Sequence, residues 1–174
     1  MKTNSIILKT VHILFWIVFI GLCMKAGAIL ISFIISLFVN AAGAQNLYLG
    51  LDLSELYVVN KPYYIAIVLL LITLTALKSL IAYFAVKFFL KFNLVKPFSK
   101  EFASLFIKIS YISLGTGILA IIANEFSNWI LNQGVNIPIN WAGSEILFFA
   151  GIIYLLALIF KKGIEMQNEN ELTI

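Results

Sequence analysis

The sequence predicts an all-α membrane protein: four transmembrane helices in an antiparallel bundle, with a small extracytoplasmic extended or hairpin segment between the first and second. Three observations carry this. Of 174 residues, 62% are hydrophobic and 11% charged, with a mean hydropathy of +1.03, well beyond the roughly half-apolar composition of soluble domains. Four apolar stretches each meet the spanning length of about 20 residues. The lysines gather on alternate connections, as they do where basic loops stay on the cytoplasmic side.

The first stretch, about 6–38, outruns the apolar region of a signal peptide and has no small-residue cleavage site after a short core, so it reads as a retained, tilted span. The others cover about 63–90, 102–131 and 141–160. With the connections, these four spans account for the chain as one domain over 1–174, leaving 161–174 as a cytoplasmic tail.

Between the second and third spans lies a short basic turn, Lys91 to Glu101. There Pro97 stops a helix and Ser99 is placed to cap the next one. The connection Asn132 to Asn140 is polar and turn-rich, with Asn140 placed to cap the fourth helix and Trp141 to anchor it at the interface. The first connection differs, because Leu47, Leu49, Leu51 and Leu53 alternate with other residues at period two, a pattern that predicts a hairpin or extended flap.

Orientation follows from the lysines. Lys2, Lys9, Lys87, Lys91, Lys96, Lys100, Lys161 and Lys162 flank one set of span ends, and Lys61 alone falls on the other, beside Asp52 and Glu55. Both termini are therefore expected in the cytoplasm.

Charges inside spans cost about 2.5–3.5 kcal/mol at the bilayer centre on insertion scales, so Lys25 and Lys78 stand out. Small residues accompany each at helical spacing: Gly21, Ala28 and Ser32 beside Lys25, and Thr75, Ala82 and Ala85 beside Lys78. The third span has a comparable stripe of Ser110, Ser113, Gly117, Ala120 and Asn124, suited to close helix contact. Glu125 and Glu145 lie toward the outer ends of spans three and four. Lys25 is expected to pair with Glu145 or Glu125, and Lys78 to face the polar groups of the third span; these four are the intramembrane charge candidates. Structural ion pairing and a polar cavity for an anion or small ligand are both open on these residues.

Catalytic signatures are absent. His12 is the only histidine and Cys23 the only cysteine, and the chain has no H-E-x-x-H, phosphate-binding glycine loop or G-x-S-x-G elbow. No enzyme activity, cofactor, metal site or direct nucleic-acid contact is expected, and the lipid bilayer is the first partner. Four helices seldom enclose a transport path alone, so a transporter reading carries oligomerisation with it.

The ending Gly163 to Ile174, with Lys96-Pro97-Phe98-Ser99-Lys100-Glu101 ahead of the third span and four spans over nearly the whole chain, resembles the bacterial domain-of-unknown-function 2975 family. Glu171 stands where the family pattern has aspartate. The resemblance implies a small four-helix bacterial inner-membrane protein with no established activity, often encoded beside a small helix-turn-helix regulator. On that implication the expected function is non-enzymatic: sensing, or tethering a cytosolic DNA-binding regulator through a surface of Lys96, Pro97, Phe98, Gly163, Gln167, Glu169, Asn170, Leu172 and Thr173. The alternative is a small oligomeric transporter or ligand-binding protein that uses the intramembrane lysines.

Overall fold

The computed structural model describes residues 2–91 and 100–171. Its helices are α1 (Lys2–Phe38), α2 (Ser54–Val59), α3 (Lys61–Lys91), α4 (Lys100–Leu131) and α5 (Gly143–Glu171), with a 3-10 turn at Ala41–Gln45 after α1. Segments Leu8–Phe38, Lys61–Leu90, Lys100–Leu131 and Gly143–Gln167 are long and apolar enough to cross a membrane, as a multi-pass membrane protein requires.

The long helices follow one another in space as they do in the chain. α1 packs on α3, α3 on α4, and α4 on α5, whereas among the described residues α1 makes no close backbone approach to α4 or α5. Each neighbouring pair is antiparallel. Along α1 and α3, Phe15 meets Phe89, Phe19 meets Tyr83 and Phe33 meets Tyr64. Along α3 and α4, Phe88 meets Phe106 at one end and Tyr63 meets Trp129 at the other. Phe106 meets Phe160 between α4 and α5. The start of α1 and the end of α5 therefore share one end of the assembly with Lys91 and Lys100.

The small-residue stripe of the third span lies on the α4–α5 seam. Ser110, Ser113, Gly117 and Ala120 are buried, the Ser110 hydroxyl donates to the Ala150 carbonyl at 3.1 Å, and a Cβ on Gly117 would collide with Leu147. Asn124 departs from the stripe and is exposed.

At the opposite end, both connections turn back along the helices. A Cβ on Gly43 would sit 2.8 Å from the Ser36 amide nitrogen and 2.9 Å from the Ser32 carbonyl oxygen, so the 3-10 turn runs down against α1. A Cβ on Gly143 would lie 3.0 Å from the Ile121 amide nitrogen. Ile121 is ten residues short of the end of α4 at Leu131, about 15 Å at 1.5 Å per residue. Thus 135–142 re-enters before α5 begins, carrying the buried Val135, Ile137 and Trp141 with it. The main core forms here: Leu47, Leu53 and Leu56 of the first connection join Ile29, Tyr64, Ile67, Ile130 and Trp141.

The first connection is no hairpin; no strand occurs among the described residues. Leu49 and Gly50 take left-handed φ values of 47° and 84°. That reversal lets Leu47 N–H donate to the Leu51 carbonyl and Gly50 N–H to the Asn46 side chain, both at 2.9 Å. The alternating leucines therefore mark a closed turn, with Leu47 and Leu53 inward and Leu49 86% exposed. Asp52 accepts the Ser54 N–H at 2.8 Å ahead of α2, and hydrogen bonds from the Ser54 hydroxyl and amide hold its carboxyl below the usual range.

Three further expectations are corrected. Trp141 is buried at 2% exposure, not at an interface, because its indole N–H donates to Ser127 Oγ at 2.9 Å. Asn140 does not cap α5, which begins at Gly143; its Oδ1 accepts the Ala142 N–H at 2.9 Å in a turn ahead of the helix. Past Phe160 the chain continues as helix to Glu171, with Lys162 and Glu165 in an exposed 3.2 Å ion pair one turn apart. Ser99, placed as the cap of α4, lies outside the described residues.

Gly43→Ala should lower stability by about 1–3 kcal/mol, since overpacking against two backbone groups has no flexible side chain to absorb it. A detergent thermal melt against wild type measures it, and an unchanged midpoint would mean that the turn does not press on α1.

Candidate functional site

Lys25 and Lys78 line one cavity. Their depth follows from position: Lys25 lies thirteen residues before the end of α1 at Phe38, and Lys78 seventeen residues after the start of α3 at Lys61, about 20 and 26 Å along the helices. Polar backbone reaches that depth because the two connections descend to it. The cavity, about 300 Å³, is walled by Leu22 and Lys25 of α1, Thr75 and Lys78 of α3, Tyr48 of the first connection, and Asn140 and Trp141 of the third.

Among the described residues neither lysine has a carboxylate against it. The Lys25 ammonium lies 5.6 Å from the centre of the Tyr48 ring, and among the described residues it makes no ion pair with Glu145 or Glu125, so that expectation is corrected. Geometry explains this. Glu145 is exposed beside Ser144, which donates to it at 3.3 Å, and exposed Glu125 accepts from Asn124 at 3.4 Å; both acids lie in a separate outer pocket between α4 and α5. Lys78 likewise does not face the polar groups of α4. It donates to the Trp141 carbonyl at 3.5 Å, the carbonyl being brought there by the re-entrant segment.

The balance of magnitudes is informative. A ring contact returns about 0.5–2 kcal/mol, and a hydrogen bond at 3.5 Å is at the limit of the interaction. Against about 2.5–3.5 kcal/mol for each charge at the bilayer centre, this is incomplete compensation. The lining contains no acid, so the cavity collects two positive charges with no resident counter-ion among its walls.

Hydrogen-bonding capacity remains on the polar side. The Thr75 hydroxyl donates to the Leu71 carbonyl at 2.7 Å, leaving its oxygen as an acceptor. Asn140 accepts through its oxygen, leaving its amide NH₂ to donate. The walls are held from behind: Trp141 by Ser127, and α1 to α3 by buried Tyr64, whose hydroxyl meets Ser36 Oγ at 2.6 Å. Ser36 gives its own proton to the Phe33 carbonyl at 2.7 Å, which makes Tyr64 the donor. No group of three or more His, Cys, Asp or Glu side chains placed to hold a metal occurs among the described residues.

Of the partner-contact candidates, Gly163 is half-buried and Gln167 exposed on the last turns of α5. Glu169 and Asn170 continue that helix. Lys96, Pro97, Phe98, Leu172 and Thr173 lie outside the described residues. Tyr48, Asn140 and the Trp141 carbonyl were not singled out as site groups. A tyrosine within a leucine alternation and an asparagine and tryptophan at a helix start read locally as turn, cap and anchor, and no local signal shows Tyr48 meeting Lys25 or the Trp141 carbonyl meeting Lys78, 63 residues away.

Comparison with protein-family models, with curated proteins and with solved structures finds no match for this chain.

A double-mutant cycle between Lys25 and Glu145 should give a coupling below about 0.5 kcal/mol, the range of sites that do not touch. A coupling above about 1 kcal/mol in detergent unfolding would restore the direct pair.

Proposed function

We propose that this chain is a non-enzymatic bacterial inner-membrane protein that binds a small anion in the cavity of Lys25 and Lys78, with both termini cytoplasmic and the two re-entrant connections facing outward. One observation carries the reading: two lysines line a single cavity of about 300 Å³ with no carboxylate in its lining among the described residues. An anion there relieves the repulsion between them and supplies the missing counter-charge, at a depth where Coulombic interactions are screened less than in water. The lysine distribution supports the orientation, since Lys87, Lys91, Lys100, Lys161 and Lys162 share one end of the antiparallel assembly. Membership of the domain-of-unknown-function 2975 family stays with the tail and the Pro97-Phe98-Ser99 turn that suggested it.

The purified protein should gain thermal stability with rising concentrations of small anions, acetate and inorganic phosphate being the probes. Ligand at 100 times its dissociation constant is worth about 2.7 kcal/mol, a shift of several degrees. Lys25→Met and Lys78→Met should each abolish the shift. Equal shifts in the variants would remove the lysines from the site and the reading with them.

A second reading, tethering of a cytosolic helix-turn-helix regulator, is favoured by the continuation of α5 from Phe160 to Glu171, which offers an ordered helical surface beyond the span. Deleting residues 163–174 while keeping the spans should abolish co-purification of such a regulator from the native host. Unchanged recovery sinks the tether and leaves the cavity reading untouched.

A further inference from the structure

We infer that the ligand is an amphipathic anion: a carboxylate or phosphate headgroup carried on an apolar chain. This rests on the anion-binding reading and narrows it. The charged groups occupy only part of the wall; Leu22, Leu51, Leu71, Leu74 and Ile139 line the rest. A small hydrated ion loses water against such a surface and gains nothing from it, whereas methylene groups gain by leaving water for it. A volume of about 300 Å³ is at the small end of ligand pockets and suits a headgroup with a short length of chain, the remainder extending outside.

The packing order supplies the exit. Lining residues come from α1, α3 and the two connections, with none from α4 or from the α5 helix itself. Because α1 makes no close backbone approach to α4 or α5 among the described residues, the cavity is walled, away from α1 and α3, by the two connections and by no further long helix. A lateral way in from the acyl layer belongs on that side, where a headgroup would reach the lysines while its chain stays in lipid. The same chemistry is available from a free acyl anion or from an anionic lipid of the bilayer.

The test uses the full chain in phosphatidylcholine nanodiscs. With Trp16→Phe and Trp129→Phe, Trp141 remains as the only indole, reporting from the cavity wall. Acetate, inorganic phosphate, hexanoate, decanoate and decanol are titrated. Affinity should rise about fourfold per added methylene until the chain outgrows the cavity, the factor that about 0.8 kcal/mol per CH₂ represents. Decanol should be silent, Lys25→Met or Lys78→Met should weaken decanoate at least tenfold, and Lys25→Arg should retain binding, showing that folding survives substitution there. Replacing part of the phosphatidylcholine with phosphatidylglycerol separates the sources: weaker apparent decanoate binding supports a bilayer lipid as occupant, and unchanged binding supports a free acyl anion. Lysine-dependent binding of acetate or phosphate as tight as that of decanoate overturns the apolar chain and leaves the anion reading standing. Equal responses to decanoate and decanol overturn the headgroup. Silence to every anion overturns both readings.

Discussion

Peptide groups that are not in a helix cannot face lipid, because nothing there replaces their hydrogen bonds to water. Both re-entrant connections answer this constraint, and most of the distinctive structure depends on how. They are buried against α1, α3 and α4, and their amides are taken up locally by short polar side chains. Asn40 accepts the Ala42 N–H, Asn46 that of Gly50, Asp52 that of Ser54, Asn60 that of Tyr63, and Asn140 that of Ala142. Five Asx residues thus punctuate each change of direction, an arrangement suited to chain that must turn sharply with little water. Apolar positions between them, Ala44, Leu47, Leu53, Val135 and Ile137, supply the burial.

The descent of these segments also explains how two lysines are tolerated deep in helices that are otherwise apolar. Tyr48 arrives on the first connection and the Trp141 carbonyl on the third, and each meets one ammonium group. The partners are weak ones: a ring face and a long hydrogen bond hold a cation in place without neutralising it. A salt bridge would have closed the site, since breaking a buried ion pair strands the remaining charge at a cost of several kcal/mol. The observed arrangement leaves both ammonium groups without a neutralising partner among the described residues, as the proposed anion site requires.

Rigidity is distributed accordingly. The α4–α5 seam is close-packed through small residues, and the indole of Trp141 is pinned to Ser127. The α1–α3 contact near the outer end is pinned by the Tyr64 and Ser36 hydroxyls. The cavity lies between these two supports, walled by the two connections and by α1 and α3. α1, which packs on α3 alone among the long helices, directs much of its apolar surface outward, Ile13, Ile17 and Ile31 each being about 60% exposed or more. In lipid such a face carries no hydrophobic penalty.

The four spans, their starts and the stops of the first three within a few residues, and the two lysines as exceptional groups were legible in the chain alone, because hydropathy over about 20 residues and the cost of a buried charge are local quantities. The fate of the leucine alternation was not: period two is shared by a strand and by a turn with two left-handed residues, and only the inward docking of Leu47 and Leu53 distinguishes them. Nor was the partner of Lys25, because α5 drawn from the end of a short loop puts Glu145 at its level. It is the re-entry of 135–142 that starts α5 beside Ile121, turns Glu145 outward and places a backbone carbonyl against Lys78. Sequence by itself determined how many membrane-length helices there are and where charge interrupts them. Tertiary structure decided what that charge faces, since this depends on how far each connection folds back, and that depth is set by packing between residues distant in the chain.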